Sequence, residues 1–227
     1  MEKKSKQFFD SIVEGYDQAI ELCVPRYDEM LWAIVYYLPS GWKPLNILEL
    51  GCGSGNLSEL VAKMFPRANL CLIDQSEKFL SSCRSRLQKY KTIEYIHADF
   101  SEMKFEPSTF DLVVSSIAIH HLLDTEKFNM FNNIHRWLRP GGVLAFSDQY
   151  AGATNDLYQK HIKQWKQEAI DQGLGQKKWK QWMDHQKEHD CHVPLHTQIQ
   201  WLQRIGYASV DCTWRYLLWT VLHSQKS

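Results

Sequence analysis

Leu45-Asn46-Ile47-Leu48-Glu49-Leu50-Gly51-Cys52-Gly53-Ser54-Gly55-Asn56 is the stretch whose reading decides the fold. Ile47, Leu48 and Leu50 make a short buried-strand pattern, and Gly51, Gly53 and Gly55 then supply a turn with no Cβ to keep a ligand off the backbone. Leu57 to Met64 continues with helical spacing. Strand, glycine turn and helix start in that order place free backbone N–H groups at the carboxyl end of a strand, where open α/β sheets bind nucleotides. A dinucleotide fingerprint needs G-x-G-x-x-G, whose third glycine lets helix and strand pack closely. This turn is G-x-G-x-G after acidic Glu49, which favours a nucleoside ligand without a pyrophosphate. The next apolar run, Leu70 to Ile73, ends in Asp74 and Gln75, where a carboxylate can accept from both ribose hydroxyls.

Outward from this unit, strands are expected near 46–50, 69–73, 92–97, 111–115 and 143–147, with helices near 56–64, 76–88 and 125–138. Such alternation implies right-handed crossovers and a parallel sheet buried on both faces. Pro140-Gly141-Gly142 marks the tight turn into the fifth strand. Upstream, Phe9, Ile12, Val13, Tyr16 and Ile20, then Met30, Leu31, Ile34, Val35 and Leu38, give two helices over 8–22 and 27–38. Tyr16 and Tyr27 either close over a bound nucleoside or are core tyrosines with polar tips at the surface. Downstream, residues 154–192 are polar and rich in lysine and tryptophan, and predict two or three inserted helices. A helix over 196–204 and two strands over 208–213 and 216–223 follow, the strands forming an antiparallel hairpin at the sheet edge. The organisation expected is helices capping the cofactor site over 1–40, a cofactor-binding core over 41–150, a helical lid or acceptor insertion over 151–195, and a last helix and hairpin over 196–227, all within one domain.

With 227 residues the chain can bury one good core. Lys plus Arg equals Asp plus Glu at 26 each, so no global field draws in nucleic acid or anionic membrane. Six scattered cysteines without a C-x-x-C pair suit reduced thiols in a cytosol, and no apolar run reaches membrane-spanning length. A cytoplasmic protein is therefore expected.

The five blocks Glu49-Leu-Gly-Cys-Gly-Ser-Gly, Asp74, His97-Ala-Asp99-Phe100, Phe110-Asp-Leu-Val-Val-Ser-Ser-Ile-Ala-Ile-His-His-Leu and Leu138-Arg-Pro-Gly-Gly stand in order along the chain. In this the sequence resembles the class I S-adenosylmethionine-dependent methyltransferases. The resemblance implies a Rossmann-like seven-stranded sheet, mostly parallel with an antiparallel last strand, helices on both faces and S-adenosylmethionine as cofactor. It further implies that Gly51, Gly53 and Gly55, within the run Glu49 to Asn56 that includes Cys52, Ser54 and Asn56, approach the methionine part. Asp74 with Gln75 then binds the ribose, Asp99 accepts from the adenine amino group beside Phe100, and Ser115 lies beneath the sulfonium. Within the family, Val24-Pro-Arg-Tyr27 and the C-terminal hairpin are similar in architecture to carboxy-S-adenosylmethionine synthase, though its motifs differ from Gly-Ser-Gly and Ser147-Asp-Gln-Tyr150.

The function this implies is in-line transfer of a methyl group to a small-molecule acceptor. The alternatives are an enzyme related to tRNA modification, either a tRNA methyltransferase or a synthase of the kind just named, and a cofactor-binding protein without transfer. A small-molecule acceptor and a homodimer are the partners considered, with no membrane contact expected; nucleic acid enters only through the tRNA alternative. Candidates for handling an acceptor proton are His120, His121, Asp148 and Tyr150, all at strand ends, although each histidine can equally hold its loop in place and Asp148 can serve to order one. In the lid, His185 and His189 stand at i, i+4 among Asp184, Asp190, Cys191, His192 and His196. The order of a specific metal motif is missing, so no metal is expected. Trp165, Trp179 and Trp182 line an acceptor pocket or form the lid's own core. Seven lysines against four acids over 160–188 suit an anionic acceptor or RNA, or simply a solvated helix face.

Overall fold

A computed structural model describes Val13 and residues 15–227. Phe9 and Ile12 of the first expected helix lie outside the described residues; α1 is described over Tyr16–Cys23 and α2 over Tyr27–Tyr36. The glycine unit then folds as β1 (Asn46–Leu50) and α3 (Asn56–Met64). β2 (Asn69–Asp74), α4 (Glu77–Arg86), β3 (Ile93–His97), β4 (Phe110–Ser116), α5 (Asp124–Trp137) and β5 (Leu138–Gln149) complete the alternating part. α6 (Asn155–Asp171) and α7 (Gln176–His189) form the inserted segment, and α8 (Leu195–Ile205), β6 (Tyr207–Tyr216) and β7 (Trp219–Lys226) close the chain.

The sheet has seven strands in the order β3-β2-β1-β4-β5-β7-β6. β1 to β5 pair in parallel, whereas β7 lies antiparallel between β5 and β6, with Phe146 opposite Leu222. This is the mostly parallel sheet with an antiparallel last strand that the sequence predicts. β5 starts earlier than expected because Leu138 already pairs with Phe110 across an irregularity in the ladder.

The pleat's period of two sorts the strand residues onto two cores. Ile47, Leu72, Leu112, Val114 and Ala145 join Ile20, Met30, Leu57, Leu80 and Trp165 on one face. Leu48, Leu50, Val113, Leu144 and Phe146 join Met130, Phe131, Ile134 and Leu202 of α5 and α8 on the other. Near-continuous apolar strands are what a sheet covered on both faces requires.

The tryptophans of the inserted segment belong to the first of these cores. The Trp165 ring meets Trp179 at 4.8 Å and Trp219 at 5.6 Å, and its Nε1 donates to the Cys23 carbonyl at 2.5 Å. Burying that N–H against a carbonyl rather than leaving it unpaired lets the large ring sit wholly inside. The seven lysines of 160–188 are all exposed. Lys160 and Lys180 pair with Asp156 and Asp184 one helical turn away at 2.8 and 2.7 Å, which is a solvated helix face. The six cysteines are free thiols. Among the described residues no helix is long and apolar enough to cross a membrane.

Candidate active site

A cavity of about 350 Å³ opens at the carboxyl ends of β1, β2 and β4. The glycine turn forms its floor. Cys52 N–H donates to the Ile73 carbonyl at 2.9 Å and Gly53 N–H to Asp74 Oδ2 at 2.8 Å, so the turn is fastened to the end of β2. Gly51 and Gly53 have φ of +69° and +51°. A Cβ on Gly51 would meet the Ala118 Cβ at 2.5 Å, whereas a Cβ on Gly53 would enter open space inside the cavity. Gly51 is thus demanded by packing, whereas at Gly53 only the left-handed backbone favours glycine and the space beside it is open.

Asp74 is the hub of this end. Its other oxygen accepts from Ser76 N–H at 2.8 Å, and Ser76 in turn caps α4 by accepting from Phe79 N–H at 3.3 Å. A carboxylate offers about four lone-pair sites, more than these two backbone N–H groups take. Asp99 and Phe100 line the same wall, with Asp99 Oδ1 accepting from Ser101 N–H at 2.8 Å. Glu49 is 2% exposed and accepts from Ser58 Oγ at 2.6 Å. Burial pushes its carboxyl well above the ordinary carboxylate range, against the opposing pull of the Ser58 hydrogen bond.

α1 and α2 cover the turn from above. Tyr16 packs edge-on against Phe79 at 4.9 Å, and the Tyr27 hydroxyl accepts from Asn56 Nδ2 at 3.3 Å. Asp17 does what no sequence pattern announces: it accepts from Ser54 Oγ at 2.6 Å and Asn56 Nδ2 at 3.1 Å, and pairs with Arg86. Arg86 Nε also donates to the Ser54 carbonyl at 2.9 Å, so α1, the glycine turn and α4 share one polar clamp.

Tyr16, Tyr27, Glu49, Gly51, Cys52, Gly53, Ser54, Asn56, Asp74, Gln75, Asp99 and Phe100 all line the cavity. Gly55 and Ser115 do not. Gly55 sits beneath as the residue before α3. Ser115 shares its pleat face with Val113, turning away from the cavity to donate to the Leu50 carbonyl at 2.8 Å, and its neighbour Ser116 lines the wall instead.

Of the four residues considered for proton handling, His121 alone reaches the cavity wall, beside Leu122, Leu123, Glu126 and His189. His120 and Asp148 are buried behind it and hydrogen-bond each other through His120 Nδ1. Tyr150 is fully buried in the core under α5 and α8, because residues 144, 146, 148 and 150 follow one face of β5 and its continuation. Burial and the neighbouring His120 pull the His121 imidazole below its ordinary range, even with Asp190 opposing. Burial also lowers His120, but the carboxylates of Asp148 and Asp190 outweigh it and raise the group overall. His185 is driven down to about 3 by burial, with Asp190 opposing. Glu126 and Ser116 were not anticipated from sequence. Asp190 and His189 were visible only as members of a polar cluster, with no sign of what they face.

The lining fits S-adenosylmethionine: two carboxylates at strand ends for hydroxyls and an exocyclic amine, a buried carboxyl near a backbone cradle, and open space over Gly53. Residues 47–142 match the family described as a methyltransferase domain. The chain is 28% identical over 149 residues to the carboxy-S-adenosyl-L-methionine synthase of Vibrio atlanticus, covering 63% of this chain and 61% of that protein. It is 29% identical over 103 residues to a malonyl-[acyl-carrier protein] O-methyltransferase of Ilyobacter polytropus, covering 45% of this chain and 38% of that protein. The matches therefore span less than two thirds of either relative. The crystal structure of the N-methyltransferase NodS from Bradyrhizobium japonicum in complex with S-adenosyl-L-homocysteine shares the fold, with a TM-score of 0.69 and 16% identity over 98% of both chains.

Proposed function

The chain belongs to the class I S-adenosylmethionine-dependent methyltransferases, and from that premise we propose that it transfers a methyl group to a small-molecule acceptor held between the sheet edge and the α6–α7 segment. The observation that carries this reading is one continuous cavity running from Asp74 and Asp99, past the glycine turn, to His121, Glu126 and His189. Bound there, S-adenosylmethionine supplies an electrophilic methyl group on a sulfonium. In the proposed arrangement Asp74 accepts from the ribose hydroxyls, Asp99 from the adenine amine beside Phe100, and Glu49 faces the α-ammonium. Gly51 and Gly53 admit the methionine part against the backbone, and Tyr16 and Tyr27 close over it. The N-terminal helices act as the cap and residues 151–195 as the acceptor side. With the cofactor held there, an acceptor lone pair aligned opposite the sulfonium would take the methyl group as the carbon–sulfur pair returns to sulfur, and His121 or water would receive the acceptor proton. Alignment of this kind supplies about 7–11 kcal/mol of the barrier reduction, so geometry is the main contribution asked of the chain.

Similarity to a carboxy-S-adenosylmethionine synthase raises a reading in which the cofactor itself is modified. That chemistry brings a carboxylate to the sulfonium, and among the described lining residues there is no lysine or arginine to receive it. The exposed lysines of α6 and α7 lie on solvated faces rather than in the cavity.

The test is S-adenosylhomocysteine calorimetry followed by transfer of isotopically labelled methyl to a panel of thiols, phenols, amines and carboxylates. Labelled product supports the reading. Tight binding with no labelled product from any of these classes would leave a binding protein, and no binding would remove the premise. His121→Ala is expected to lower kcat by about 100-fold, within the range of positioned acid–base groups, while S-adenosylhomocysteine affinity stays within about threefold. An unchanged kcat would assign His121 to loop structure.

Glu49 gives a pH signature. Burial raises its carboxyl well above the usual carboxylate range, and an α-ammonium beside it would favour the carboxylate. Between the bound and free pKa values cofactor binding should then release a proton, so affinity rises with pH across that window. Calorimetry in two buffers of different ionisation enthalpy reads the proton directly. Glu49→Gln should abolish the release; equal release in both proteins would separate Glu49 from the ammonium.

A further inference from the structure

Asp190 follows the last residue of α7, and its side chain is 3% exposed. Three imidazole nitrogens from two distant parts of the chain face its Oδ1: His121 Nδ1 at 3.2 Å, His120 Nε2 at 3.6 Å and His185 Nε2 at 3.9 Å. His192 Nε2 lies 3.5 Å from Oδ2. Despite this company, Asp190 Oδ1 and His192 Nε2 are buried without a hydrogen bond of acceptable geometry. A buried carboxylate oxygen and ring nitrogen in that state are costly, and a cation between such groups would satisfy them.

The separations point to what that is. A four-coordinate ion with bonds of about 2.0–2.1 Å spaces its ligand atoms about 3.3 Å apart. The ligating atoms of His120, His121 and Asp190 all lie within 4.8 Å of one another. The outer groups agree with this. Asp148 binds His120 Nδ1, which turns Nε2 toward Asp190, and Gln149 N–H holds Asp148 in turn at 2.9 Å. A carboxylate behind a metal-binding imidazole is the usual device for fixing its tautomer and orientation. On the other side the Tyr158 hydroxyl meets His192 Nδ1 at 3.0 Å and accepts from Gln186 Nε2 at 2.9 Å. Cys191 N–H donates to the His120 carbonyl at 2.8 Å, joining the two stretches by backbone, and buried Lys127 reaches the Cys191 carbonyl.

We propose that His120, His121 and Asp190 bind one divalent transition-metal ion of the Zn²⁺ class at the acceptor end of the cavity. Nitrogen donors with one carboxylate suit such an ion, whereas Mg²⁺ and Ca²⁺ take oxygen ligands. Because His121 lines the cavity, the ion borders the acceptor's space. One consequence rests on the methyl-transfer reading: the acceptor would be a hydroxyl or thiol, whose coordination favours loss of its proton to water before its lone pair forms the bond to the methyl carbon.

The experiment titrates the metal-stripped full chain with Co²⁺, follows its d–d absorption, and displaces it with Zn²⁺. One Co²⁺ per chain is expected, displaced by one Zn²⁺. Asp190→Asn and, at the half-buried wall position, His121→Gln should each weaken Co²⁺ binding about 100-fold. Asp148→Asn should weaken it by about 10-fold, in the range of outer-shell changes. His196→Ala, at an exposed histidine, should leave it unchanged. Circular dichroism identifies any variant that has not folded, and His121→Gln then carries the test. Absence of a stoichiometric Co²⁺ spectrum, or an unaltered one in folded Asp190→Asn or His121→Gln, overturns the proposal. S-adenosylhomocysteine titration of the same stripped protein separates the two readings, since methyl transfer fails on lost cofactor binding whatever the metal does.

Discussion

Gly53→Val is expected to weaken S-adenosylhomocysteine binding by at least about 100-fold, equivalent to roughly 2.7 kcal/mol. Gly53 has φ +51°, and a Cβ there meets no protein atom within 4 Å. The added side chain would therefore occupy cavity space rather than disturb packing. Holding a β-branched residue in the left-handed region costs about 1–3 kcal/mol, which lowers Tm by roughly 2–12 °C in a chain of this length. The protein should remain folded while its ligand is excluded. Gly51 offers no such separation, because its Cβ would strike Ala118 at 2.5 Å and move β4's following loop as well as the turn. Calorimetry paired with a thermal melt decides the matter: near-native affinity in folded Gly53→Val would mean that the ligand does not approach the glycine turn.

The difference between these two glycines could not be read from sequence, and it typifies where legibility ended. The cofactor half of the cavity was legible because its parts sit at fixed offsets from strand ends: Gly53 after β1, Asp74 at the end of β2, Asp99 after β3. The acceptor half was not, because it forms by long-range meeting. Asp190 stands beside His120 and His121 only after α6 and α7 have packed Trp165 and Trp179 onto the main core. In sequence the same cluster lacked the order of a specific metal motif, and two of its members stand at solvent: Asp184 pairs with exposed Lys180, and His196 is exposed. Strand parity explains the remaining displacements. Moving by one residue along β4 exchanges Ser115 for Ser116 at the cavity, and Tyr150 falls on the face covered by α5 and α8. Asp17 carried no signal at all, since a single acid on an amphipathic helix resembles a solvated one until its partners on the glycine turn and α4 are known.

Asp74→Ala is expected to reduce S-adenosylhomocysteine affinity by more than about 100-fold, and for two coupled reasons. The ribose would lose an acceptor for its hydroxyls, and the turn would lose the group that fastens Gly53 N–H and Ser76 N–H at 2.8 Å each. Two backbone donors left without their charged acceptor are each worth about 1–3 kcal/mol, so some loss of stability accompanies the loss of binding. Asp74→Asn separates these contributions. Its amide oxygen can satisfy one of the two N–H groups, but its NH₂ must then face the other donor, so one side of the junction becomes repulsive whichever way the amide turns. Asp74→Asn should therefore resemble Asp74→Ala in affinity while keeping more of the side chain's volume. Affinity within about threefold of wild type in Asp74→Asn would show that neither the charge nor the second acceptor oxygen reads the ribose. Asp74 would then be a junction between the glycine turn and α4, and recognition of the nucleoside would fall to Asp99 and Phe100 on the adjoining wall.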